Sequence, residues 1–129
     1  MDLRAVSFWL ICGLVVGAAP LAAQRPTVDP ALAKQGENVF VQRGCQGCHT
    51  IGKGKGAGPD LAGVFDRRSV DWVKRWIKAP DQMLASDSLA QTLLEQNNNT
   101  VMPNLKLNDK EVDALLHYIA QQDAKVHGS

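Results

Sequence analysis

Residues 45–49 read Cys45-Gln46-Gly47-Cys48-His49, and they contain every cysteine of the chain except Cys12. Two thiols two residues apart, followed at once by an imidazole, admit three chemistries: haem attachment through thioethers, a dithiol redox pair, or half of a zinc site. The rest of the sequence decides among them. A thioredoxin-type pair opens a helix after a strand, and no stretch here alternates apolar and polar residues as a half-buried strand requires. Zinc needs two further ligands at close spacing, and the remaining histidines, His117 and His127, lie far along the chain. Haem attachment needs nothing more. Each thiol can bond one haem vinyl group, and His49 is then held beneath the iron, where its neutral nitrogen ligates. The expected cofactor is one covalent haem c with its iron.

Outward from the motif, helical patterns appear on both sides. Upstream, Asp29 caps a helix that has Pro30 at its first position, where a missing N–H costs nothing. Leu32, Gly36, Val39 and Phe40 form its apolar face, and Gly44 closes it. Downstream, residues 51–59 hold four glycines and a proline among nine positions, which is a loop. It lacks the strand before it and the G-x-x-x-x-G-K-[ST] order of a phosphate cradle. Ser69 caps a second helix carrying Trp72, Val73, Trp76 and Ile77, which stops at Ala79-Pro80. A third runs from about Asp87 to Gln96 with Leu89 and Leu93 inward, and ends in Asn97-Asn98-Asn99. The last has the clearest start: Asn108 as cap, Glu111 three residues on, and Leu107 and Val112 as a hydrophobic staple. Its buried face is Val112, Leu115, Leu116 and Ile119. The expected fold is all-α.

An iron held by His49 has a sixth position to fill. Met102 precedes Pro103 in an irregular segment before the last helix, where proline restricts the backbone and helps aim the thioether. Met83 follows Pro80-Asp81 near a helix junction, where core packing is the plainer role for a methionine. Met102 is the expected ligand and Met83 the alternative. His117 would serve only if the last helix turned its outer face to the haem.

The N-terminus reads differently from the rest. Arg4, an apolar run over residues 6–19 and the small residues Ala22-Ala23 follow the order of a secretory signal. Cleavage after Ala23 is expected, with an uncleaved membrane anchor through residues 6–23 as the rival. The expected layout is a signal at 1–23, an extended lead at 24–29, the haem domain at 30–122 and a tail at 123–129. So small a domain depends on its cofactor for stability. The net charge of +1 implies no nucleic-acid surface. Arg43, Lys53 and Lys55 flank the motif, and with Lys106 they form a candidate basic rim.

The mature chain resembles the class I cytochrome c family along nearly its whole length. The matching residues are Gly36 and Phe40; Cys45, Cys48 and His49; Gly58-Pro59-Asp60-Leu61; Trp72 and Trp76; Met102-Pro103; and Leu115, Tyr118 and Ile119. The resemblance implies three to five helices wrapped around one haem, with the first and last crossing near Gly36 and Tyr118. It implies that the Pro59 carbonyl accepts a hydrogen bond from His49, that Leu61 packs on the haem, and that Trp72 or Trp76 reaches a propionate. Arg67-Arg68 with the following tryptophan helix is similar to monohaem cytochromes serving bacterial terminal oxidases or denitrifying reductases; either arginine could pair with a propionate. The function implied is one-electron transfer, not enzyme catalysis. The partners would be a respiratory oxidase, reductase or quinol-oxidising complex, met in the periplasm by a monomer that is diffusible or tethered. The alternative is a haem-based ligand sensor or enzyme with a displaceable Met102.

Overall fold

The computed structural model describes residues 25–128; the signal segment expected at residues 1–23 lies outside them. The described residues form six α-helices and one 3-10 turn, with no strand. They are α1 (Pro30–Gln42), the turn Cys45–Gly47, α2 (Val64–Arg67), α3 (Val70–Lys78), α4 (Pro80–Ser86), α5 (Ser88–Gln96) and α6 (Asp109–His127). No helix among them is long and apolar enough to cross a membrane.

The caps sit where the side chains require them. The Asp29 carboxylate accepts the N–H groups of Ala31 and Leu32 at the start of α1. Ser69 Oγ accepts from Trp72 at the start of α3, and Asp87 from Ala90 at the start of α5. At α6 both halves of a capping box form: Asn108 accepts from the Glu111 N–H, and Glu111 from the Asn108 N–H. Each such cap stabilises its helix by about 1 kcal/mol.

Two short helices exceed the sequence expectation. Pro80 does not end the helical region; it occupies the first position of α4, where its fixed φ suits a helix start. The four-residue α2 follows Gly63 in a left-handed conformation (φ +68°) and is too short to show a periodic pattern. The last helix runs to His127, through residues expected as a tail, because Asp123 within it is fully buried.

The core lies where α1, α3 and α6 meet, around Phe40, Phe65, Val73, Ile77, Leu107, Val112, Leu115, Leu116 and Ile119. The α1–α6 crossing depends on Gly36, which packs against the Ala114 backbone and Tyr118. The Phe40 and Tyr118 rings meet beside it, centroids 5.3 Å apart. Leu107 and Val112 are both buried, forming the staple that sets the entry into α6.

Among the described residues, Asp123 is the one charged group that has no exposure at all. It accepts from the Gly63 N–H at 2.5 Å, pairs with Arg25 at 3.0 Å and meets His127 Nδ1 at 3.0 Å. Arg25 also bonds Asp66. A buried carboxylate requires such partners. Here they fasten the extended lead and the turn before α2 to the last helix.

Candidate functional site

The loop connecting α1 to α2 carries both thiols and the imidazole. Gly44 adopts φ +75°, a left-handed turn that ends α1 and starts the 3-10 turn on which Cys45 sits. The His49 N–H donates to the Cys45 carbonyl at 2.9 Å, so the motif closes on itself as one compact turn. Cys45 is half-buried, Cys48 is exposed, and they do not pair. Burial pushes the Cys45 thiol above its ordinary pKa. A dithiol redox pair relies on the opposite shift. Nor does any group of three or more His, Cys, Asp or Glu side chains among the described residues gather as a metal site.

His49 Nδ1 lies 2.9 Å from the Pro59 carbonyl oxygen. A carbonyl can only accept, so Nδ1 carries the proton and the Nε2 lone pair is left to ligate. Gly58 makes this contact fit. A Cβ there would come within 2.6 Å of His49 Cε1 and 2.9 Å of Nδ1. The glycine-rich loop that presents Gly58 and Pro59 is held from one side chain. Asp60 accepts the N–H groups of Gly52, Gly54 and Ala62 at 2.8, 2.6 and 2.8 Å. Burial pushes the Asp60 carboxyl up, but those three backbone bonds outweigh it and leave its pKa below the ordinary value.

Two apolar cavities open beside His49, of about 820 and 920 Å³ including their mouths. Both cavities are lined by His49, Pro59, Trp76, Leu93, Met102 and Leu105. The first adds Cys48 and Gly58; the second adds Cys45, Leu61, Trp72, Arg67 and Arg68. A flat macrocycle with apolar faces and two vinyl groups fits residues of this kind: apolar walls, two free thiols at the edge and an imidazole with its lone pair unspent. Cys45 and Cys48 would carry the thioethers and His49 would ligate the iron. Bound there, the haem supplies a one-electron ferrous–ferric couple.

Of the two methionines in the described residues, Met102 lines both cavities while Met83 is buried beneath a separate groove. His117 accepts the Asp29 N–H and approaches Asp113, and it lines neither haem-side cavity. The tryptophans stack on each other, centroids 5.5 Å apart and nearly parallel. Trp72 donates its indole N–H to Asp87 at 3.1 Å, so this group is already committed to the start of α5. Trp76 lines both cavities. Arg67 reaches the Ala62 carbonyl, and Arg68 lies over the Trp72 ring at 5.9 Å. Of the basic rim, Arg43 is paired with Glu111 and Lys55 donates to the Gln96 carbonyl, while Lys106 sits apart beside Arg75 and Lys78.

Leu93 and Leu105 line the site as fully as the expected residues do. Leu93 was legible as an inward position of its helix. Leu105 carried no periodic signal, because it lies in an irregular segment.

An all-helical domain with a thiol pair, an oriented imidazole and an apolar slot between helices defines a covalent haem-binding module. The cytochrome c family model matches residues 33–123. The chain belongs to the cytochrome c family, in its class I form. Among solved structures it is similar to cytochrome c from Rhodothermus marinus, with a TM-score of 0.71 and 27% identity over 77% of this chain and 83% of that one. It is also similar to the cytochrome c domain of a Pseudomonas putida protein, with a TM-score of 0.63 and 45% identity over 70% of this chain and 89% of that one. Cytochrome c oxidase subunit 2 of Bacillus subtilis is 28% identical over 109 residues. That match takes in 74% of this chain and only 28% of the subunit's length. The chain is a haem-based electron carrier.

Proposed function

We propose that this carrier works outside the cytoplasm with His49 and Met102 as its two axial ligands, passing single electrons to or from a respiratory complex. The observation that carries the ligand assignment is that Met102 and His49 line the same two cavities. His/Met ligation suits a carrier of raised potential, and keeping both ligands through the cycle keeps reorganisation small. Cys48 and its neighbours Gly44 and Val101 leave one edge of the slot open, and Val101 is 58% exposed. A partner would dock there through a small transient interface.

Support for the partner class comes from the likeness to an oxidase subunit and from the Arg67-Arg68 and tryptophan pattern. A terminal oxidase, a denitrification reductase or a quinol-oxidising complex falls within that class. Support for the location comes from the secretory pattern of residues 1–23, acting as a cleaved signal or as a tether.

The test is to express the chain with a haem-ligation apparatus and record its mass and its optical spectrum, oxidised and reduced. The expected result is a mass increase of one haem, a pyridine complex of thioether-linked haem and a weak near-infrared band from methionine ligation. A mass of polypeptide alone would overturn the reading, and a missing near-infrared band would overturn Met102.

A further inference from the structure

We propose that Asn104 is the positioning residue for Met102, clamping the segment that presents the thioether to helix α4. This inference rests on the reading of Met102 as an iron ligand. Residues 100–108 form no helix or strand, so the ladder that holds a helical ligand in place is missing here. Among the described residues, the stretch 101–107 makes two hydrogen bonds, and Asn104 makes both. Its Nδ2 donates to Asp81 Oδ1 at 2.6 Å, reaching across to the first turn of α4. Its Oδ1 accepts the Lys106 N–H at 2.9 Å, closing a local turn in which Lys106 adopts φ +54°.

That conformation is uncommon for a lysine and needs something to hold it. The Asn104 amide supplies the hold. On either side of the clamp stand Met102 and Leu105, which both face the cavities, and then Leu107, which is buried in the core. Between Met102 and Asn104 lies only Pro103, whose ring fixes φ and passes the constraint along the chain. The anchor at the other end is charged. The Asn104 bond is the main reason the Asp81 carboxyl sits below its ordinary pKa, with the Lys106 charge adding to it. A hydrogen bond to an ionised acceptor is stronger than a neutral one. The clamp therefore holds the thioether where it can outcompete outside ligands, although Asn104 itself touches neither cavity.

The experiment titrates ferric holoprotein with imidazole at fixed pH and follows the Soret band, which reports binding in every variant. Asn104→Ala is expected to raise the apparent imidazole affinity about fivefold, the effect of losing one or two net hydrogen bonds from the bound-methionine state. Asp81→Ala is expected to give a smaller rise, because it removes the bond to α4 and leaves the Asn104–Lys106 turn, and the double variant to add little to Asn104→Ala. Asp29→Ala is the stability control: it removes the α1 cap, lowers the unfolding midpoint and is expected to leave imidazole affinity unchanged. Wild-type affinity in Asn104→Ala, or an equal rise in Asp29→Ala, would overturn the clamp. Met102→Ala separates the two layers. If it leaves imidazole binding unaltered, the ligand assignment itself fails; if it raises binding while Asn104→Ala does not, only the clamp fails.

Discussion

Gly36 lies against the backbone of Ala114 so closely that a Cβ would sit 2.6 Å from the Ala114 carbonyl carbon and 2.7 Å from Tyr118 Cβ. Neither neighbour can move away, because one is helix backbone and the other is fixed by the Phe40 ring. The first and last helices cross at this point. Gly36→Ala is therefore expected to force them apart and to destabilise the holoprotein by about 1–3 kcal/mol. Denaturant unfolding followed by circular dichroism measures it. Unchanged stability would mean that the crossing is looser than this contact requires.

The two methionines are expected to separate cleanly on substitution. Met102→Ala should abolish the near-infrared band, lower the potential and leave the iron high-spin or bound to a non-native ligand. Met83 is 6% exposed and lines neither of the cavities beside His49. Met83→Ala should keep the spectrum and cost about 2–5 kcal/mol of stability as a core truncation. A spectral change in Met83→Ala instead would reverse the assignment.

Gly58→Ala drives a methyl group into the His49 ring and weakens its bond to the Pro59 carbonyl. That bond makes the imidazole a more basic ligand, which favours the ferric state. The expected result is a higher reduction potential, read by spectroelectrochemical titration, with the haem still attached through Cys45 and Cys48. A lower potential would show that the Pro59 bond is not what tunes this side of the iron.

Acid sensitivity should concentrate in the loop carrying Gly58 and Pro59. Asp60 binds three backbone N–H groups as a carboxylate, and its pKa in the fold lies below the ordinary 3.8. A depressed carboxyl pKa contributes stability that is complete above the unfolded value and is lost as pH falls through the folded one. Stability of the loop is thus expected to fall below about pH 4. Asp60→Asn should reduce stability at neutral pH and flatten that acid limb, measured as unfolding midpoint against pH. An acid limb as steep as wild type would assign it to other carboxylates.

Electron transfer to an acidic partner should slow as ionic strength rises, because the basic side chains that flank the attachment motif in sequence steer association. Lys53 and Lys55 are the candidates, since Arg43 is paired with the Glu111 carboxylate whereas Lys55 donates only to a neutral carbonyl. Stopped-flow rates across a salt series test this. A flat profile would point to the apolar edge around Val101 as the docking determinant.

Local order accounts for what could be read along the chain. The attachment motif, the caps at Asp29, Ser69 and Asn108, and the apolar stripe of α6 all act within a few residues, so their spacing alone defines them. Contacts distant in sequence left no such trace. Trp72 spends its N–H on Asp87, Asp123 gathers Arg25, Gly63 and His127, and Asn104 reaches back to Asp81, and in each case the partner is set by how helices pack.

The sequence by itself therefore determined the four longer helices and the covalent cofactor, because each depends on short-range chemistry. Only the tertiary structure decided which side chains share the slot with His49, which of the tryptophans and arginines are already engaged, and what holds the Met102 segment still. Those are matters of distance across the fold, fixed once the helices close on one another around Gly36.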